Sequence, residues 1–247
     1  MMIKMIMYLN IEQIKNYLIK NNKFRIVFVG DSITSTEWVH PNWREIVEYV
    51  LKDKMEKVVD WKISSWEIRG INFGMDGSTT ADILNKTNEI LDYKPDLIIG
   101  LMGGNDVSLG ISVEKSIDNI ENILETLSKK VPYIFWCNST PALDGNKKNK
   151  EYEPYAIKTL EIGKNNQIKI FDMFNEYKKY DLSKFFTFKS EENLIEGIKA
   201  GKIDPQHPNM LGNSYIAKIL LKEIFGIEFN PELYLETLFK GGKYPKY

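Results

Sequence analysis

The chain has 247 residues, of which 43% are hydrophobic and 27% charged, with a formal net charge of -1. These are ordinary values for a globular protein with a sizeable core, and the interspersed Lys, Asp and Glu leave no basic stripe of the kind that nucleic-acid binding requires. The single cysteine, Cys137, excludes an intramolecular disulfide, no apolar run approaches the roughly 20 residues of a membrane span, and nothing in the length forces a second domain.

The first residues, "MMIKMIMYL", are shorter than a usual signal-peptide core and lack a small-residue cleavage site. They run into an N-terminal helix over 9–22, where Ile11, Ile14, Tyr17 and Leu18 recur at helical spacing. This reading places the protein in the cytoplasm. Four nearly continuous apolar runs follow along the chain: 24–30, 96–104, 133–139 and 168–174. Continuous rather than alternating runs are expected of parallel strands covered on both faces. A further extended segment falls within 61–74, and Cys137, inside an apolar run, reads as a buried small hydrophobe.

Helical patterns separate these runs. Trp43, Ile46, Val47, Val50 and Leu51 form one stripe, with Pro41 suited to the helix start. Val113, Ile117, Ile120, Leu124 and Leu127 form a second, with Ser112 as N-cap. Ile216, Ile219, Leu220 and Ile224 form a third, closed by Gly226. Alternating strands and helices predict a doubly wound parallel α/β sheet in three layers, with helices on both faces and functional groups at the carboxyl ends of the strands. Residues 181–203 read as an insertion with a short helix, and 227–247 as a tail.

Four polar segments could carry chemistry. Gly30-Asp31-Ser32 ends the first strand, where a hydroxyl is exposed, or where Asp31 and Ser32 merely cap the loop. No phosphate-binding glycine motif accompanies it. Gly74 and Gly77 stand between an extended segment and a helix, where a glycine lets a backbone N–H approach a ligand, or simply serves a turn. Gly103-Gly104-Asn105-Asp106 is a turn by composition, but Asn105 could donate to a developing oxyanion. Asp204-Pro-Gln-His207 allows the carboxylate to hold the imidazole on one face of a tight turn, although this spacing also arises by chance.

Taken together and in order, these four segments resemble the SGNH (GDSL-type) hydrolase family over residues 30–207. The resemblance implies a flavodoxin-like fold and a serine esterase that needs no cofactor. Ser32 would be the nucleophile, His207 the general base and then acid, and Asp204 its partner. The oxyanion hole would be formed by the N–H groups of Ser32 and Gly77 and the side chain of Asn105. Gly77 is preferred to Gly74 because Asn72 to Thr79 aligns with the family pattern N-x-x-x-S-G-D-T, although Asp76 stands where that pattern has serine.

Asp31 and Trp38 are the candidate substrate-binding residues, Trp38 because it closely follows the nucleophile. His40, the other histidine, reads as a loop residue, and Trp43 and Trp136 as core. No cluster has metal-ligand spacing, so no metal is expected. The expected partner is a small acyl ester, with acetyl on a sugar preferred because no long apolar segment suggests an acyl tunnel. A lysophospholipase or thioesterase acting on longer chains is an alternative. So is a non-catalytic binding module, against which the complete triad counts.

Overall fold

A computed structural model describes residues 9–35, 38–58, 65–143, 145, 147–166, 169–191, 199–241 and 243–247. In chain order the elements are α1 (Ile11–Asn21), β1 (Phe24–Gly30), α2 (Trp43–Glu56), β2 (Ile68–Gly74), α3 (Thr80–Asn85), α4 (Thr87–Asp92) and β3 (Leu97–Leu101). They continue with α5 (Gly104–Ser108), α6 (Val113–Ser128), β4 (Tyr133–Cys137), α7 (Lys148–Asn166), β5 (Ile170–Phe171), α8 (Met173–Tyr177), α9 (Met210–Phe225) and α10 (Pro231–Phe239). The five strands pair in parallel in the order β2-β1-β3-β4-β5. This is the flavodoxin-like order, whose switch point, where strand order reverses, lies between β1 and β3.

The period-2 geometry of β1 divides its side chains between two cores. Phe24, Ile26 and Phe28 pack on one face with α1, α2, α9 and α10, and Phe28 meets Trp43 edge to face at 5.4 Å. Val27 and Val29 pack on the other with Ile83, Ile90, Ile120, Ile123, Leu124 and Leu127 from α3, α4 and α6. Both faces are therefore covered, which explains why the strands read as continuous apolar runs. Each fully buried Leu, Ile or Phe contributes about 1.5–3 kcal/mol, so the sheet is held chiefly by the two helical layers. Gly100 sits opposite Trp136, and a Cβ there would lie 2.2 Å from the indole. The missing side chain is what lets that tryptophan lie against the sheet.

The expected stripes of α1, α2 and α9 face these cores, as does that of α6 apart from Val113. Ser112 caps α6 and Gly226, at φ +66°, ends α9. Other boundaries differ from expectation. Asn42, not Pro41, starts α2, through a reciprocal cap with Glu45. The run 168–174 yields only a two-residue strand, because the Asp172 side chain accepts from Asn175 N–H and begins α8. The presumed tail contains α10, capped by Asn230 with Pro231 in its first turn and packed on α9.

Within 181–203, residues Leu182–Lys184 make a single 3₁₀ turn, and an antiparallel bridge joins Lys189 to Ile203. Residues 192–198 of that insertion, the N-terminal residues 1–8 and Trp61 lie outside the described residues. No helix among the described residues is long and apolar enough to cross a membrane.

Candidate active site

The carboxyl ends of β1 to β4 open onto a cleft of about 450 Å³. At the end of β1 the chain turns sharply, with Thr34 N–H and Ser35 N–H both donating to the Asp31 carbonyl at 3.0 Å. Gly30 is required there, since a Cβ would fall 2.1 Å from Thr34 Oγ1 and 2.4 Å from the Leu101 carbonyl oxygen. Asn42 ties the turn down by donating to the Ile33 and Ser35 carbonyls, each at 2.9 Å. Ser32 is presented to the cleft from this rigid support.

His207 arrives on the turn before α9. One Asp204 oxygen accepts from the Gln206 and His207 N–H groups at 2.8 and 3.2 Å, while the other meets His207 Nδ1 at 2.6 Å. A carboxylate can only accept, so Nδ1 carries the proton and Nε2 is left to accept from the Ser32 hydroxyl at 2.9 Å. Asp204 itself is fixed by its N–H donating to the Phe188 carbonyl at 2.8 Å, and the start of α9 by Asn209, whose side chain accepts from Gly212 N–H.

Gly77 and Asn105 line the same cleft. Gly77 adopts φ +69°, a conformation that favours glycine, with open space where a Cβ would be. Gly74, by contrast, ends β2 beside Gly30, and its missing Cβ makes room for the backbone of Thr34 and Ser35. Asn105 donates to the Ser78 carbonyl at 2.9 Å, linking α5 to the loop that follows β2. Beneath them Asp106 is fully buried and accepts from Thr80 N–H at 2.9 Å, from Thr80 Oγ1 at 2.6 Å and from the Ser116 hydroxyl.

Asp31 also reaches the cleft but is largely buried, its carboxylate accepting from Ile33 N–H at 3.1 Å. Burial pushes its pKa up to about 6, partly offset by backbone N–H donors and by the nearby His207. Trp38 lines the cleft with its indole stacked on His207. His40 is on the surface, paired with Glu45 at 2.9 Å, and Trp43 and Trp136 are in the cores. Cys137 is buried, which raises its thiol pKa and leaves it inert.

The far wall holds residues that sequence reasoning missed: Ser139 and Thr140 after β4, and Lys148 and Tyr152 on α7. Lys148 donates to Ser108 Oγ at 3.3 Å and Tyr152 to Gln206 Oε1 at 3.2 Å. Ser139 and Thr140 could have been found from their place at a strand's carboxyl end. The two α7 residues carry no local signal.

The model of the GDSL-like lipase/acylhydrolase family matches residues 26–220, which span β1 to α9. The chain belongs to this family. As a GDSL-type protein it is a serine hydrolase acting on ester bonds. A lipase/acylhydrolase from Enterococcus faecalis is similar in fold, with a TM-score of 0.62 at 24% identity over 82% of this chain and 96% of the other. An acetylxylan esterase from Geobacillus stearothermophilus matches with a TM-score of 0.62 at 20% identity, over 83% and 95%. An α/β hydrolase from the metagenome of Lake Arreo, Spain, matches at 0.61 and 16% identity, over 81% and 94%. No curated protein matches in sequence.

Proposed function

We propose that this GDSL-type hydrolase cleaves short-chain carboxylic esters, such as acetyl groups on a carbohydrate, through an acyl-Ser32 intermediate. The observation that carries the reading is His207 bridging Asp204 and Ser32 at 2.6 and 2.9 Å on the wall of one cleft. His207 Nε2 takes the hydroxyl proton as Ser32 Oγ attacks the ester carbon. The oxyanion is held by the N–H groups of Ser32 and Gly77 and by the Asn105 amide. Its collapse breaks the bond to the alcohol, which leaves with the proton from His207. Water, deprotonated by His207, then attacks the acyl-serine, and the acid departs as Ser32 recovers its proton.

A short acyl group is supported by the character of the cleft. Ser108, Ser139, Thr140, Lys148 and Gln206 line it, and these side chains suit a hydroxylated alcohol better than an alkyl chain. The likeness in fold to an acetylxylan esterase is consistent with this choice. Asp31 borders the nucleophile, and we assign it a supporting part at the substrate's edge.

The test is a series of p-nitrophenyl esters of rising acyl length, together with acetylated xylo-oligosaccharides, run on the wild type and on Ser32→Ala. Turnover should be highest with acetyl and should vanish in the variant, and a fluorophosphonate should label the wild type only. Wild-type rates in Ser32→Ala would remove the nucleophile assignment. A preference for octanoyl or longer chains would remove the short-acyl assignment.

A further inference from the structure

Trp38 follows the Gly-Asp-Ser turn closely enough to suggest a platform for substrate, but its ring meets the histidine instead. The indole lies flat on the His207 imidazole, with ring centroids 3.8 Å apart and planes 5° from parallel. Both partners are held from outside the stack. Asp204 and Ser32 fix the imidazole, and the indole N–H donates to Asp76 Oδ1 at 2.8 Å. Asp76 directly precedes Gly77 and occupies the position where the family pattern has serine. The hydrogen bond therefore joins the base to the loop that carries a candidate oxyanion donor.

We propose that Trp38 is a positioning residue for His207, setting the plane of the imidazole and stabilising the imidazolium that forms as Ser32 attacks, with Asp76 keying the indole in place. This rests on the reading of His207 as the base. An aromatic face attracts a cation far more than a neutral ring, and most strongly where water is excluded. His207 is only 9% exposed. It gains a positive charge as it takes the Ser32 proton, so the contact favours the transition state selectively.

The other charged groups facing His207 are Asp204 on its own turn, Asp31 at the end of β1, and Lys148 on α7, which lies close enough to Asp204 for their charges to interact. Asp76 acts through the indole. A substitution at Trp38 leaves all four in the chain, so comparing two substitutions isolates the ring. Trp38→Leu retains apolar cover without an aromatic face. Trp38→Phe retains a weaker face without the N–H.

The chain has two histidines, so proton NMR of the imidazole C–H signals should follow His207 directly, with exposed His40 as internal reference, assigned through His40→Gln. In Trp38→Leu the His207 signals should lose the ring-current displacement of the stack. Their titration midpoint should lie about 0.5 pH unit below that of Trp38→Phe. With p-nitrophenyl acetate, kcat should fall about five- to thirtyfold in Trp38→Leu and less in Trp38→Phe, with KM nearly constant.

Coincident midpoints in the two variants would overturn the proposal. So would a raised KM with unchanged kcat, the behaviour of a substrate platform. If Trp38→Leu does not fold, Trp38→Phe decides against the wild type, because its weaker face must still lower the midpoint. The titration needs no turnover, so it reads the stack even if Ser32→Ala were to retain activity and the hydrolytic reading were lost.

Discussion

The buried carboxylate of Asp106 offers a direct measure of what holds the candidate oxyanion loops in place. Asp106→Ala deletes an acceptor that serves Thr80 N–H, Thr80 Oγ1 and the Ser116 hydroxyl, in a site with no exposure to water. Asn119 donates to Thr80 Oγ1 at 3.0 Å and depends on the same arrangement. Each orphaned buried donor costs about 1–3 kcal/mol. Partial relaxation brings the total to about 3–5 kcal/mol, the range for removing one partner from a buried charged network. For a chain of this size, each kcal/mol lowers Tm by about 2–4 °C, so thermal unfolding followed by circular dichroism should show a fall of about 6–20 °C.

Activity should suffer as well. Thr80 begins α3, three residues beyond Gly77, and Asn105 precedes Asp106. At a temperature where the variant is fully folded, kcat should drop while KM for a small ester holds. Asp106→Asn, which keeps one acceptor, should fall between wild type and Asp106→Ala. A Tm within about 2 °C of wild type together with undiminished kcat would refute the reasoning.

Asn105→Ala removes the proposed oxyanion donor and also the bond to the Ser78 carbonyl, so kcat should fall about a hundred- to a thousandfold with KM little changed; steady-state kinetics on p-nitrophenyl acetate tests this. Asp31 binds its proton at about pH 6 in the folded protein, against 3.8 as its ordinary value. Native stability from this group is therefore fully present below pH 3.8 and is lost as pH rises through about 6, amounting to about 3 kcal/mol. Asp31→Asn imitates the neutral acid, so its Tm should gain on that of the wild type between pH 4 and pH 7.5. Parallel Tm curves would rule out a neutral buried Asp31.

The central strands could be read because both their faces are covered, which leaves continuous apolar runs such as Phe24–Gly30. β5 could not, since Asp172 diverts its apolar run into a helix. α7 was missed because its sequence is rich in Lys, Glu and Asn and carries Pro154 inside, so its apolar residues make no clean stripe. α10 was missed in spite of a signal, Asn230-Pro231, that marks a helix start. At the site, Ser32, Gly77, Asn105, Asp204 and His207 were recognisable through their order along the chain, and the structure brings all five to one region. The stack of Trp38 on His207 and the wall made by Lys148 and Tyr152 arise from tertiary placement alone, which no local spacing encodes.

The bond between Ser32 and His207 joins residues 175 positions apart. During synthesis Ser32, the proposed nucleophile, is made at the end of the first strand, and His207, the proposed base, follows only after four further strands. A nascent chain released before His207 holds the hydroxyl without the group that would activate it. On the proposed assignment, hydrolytic competence thus arrives only once His207 has been made, and a fragment ending short of it should be silent.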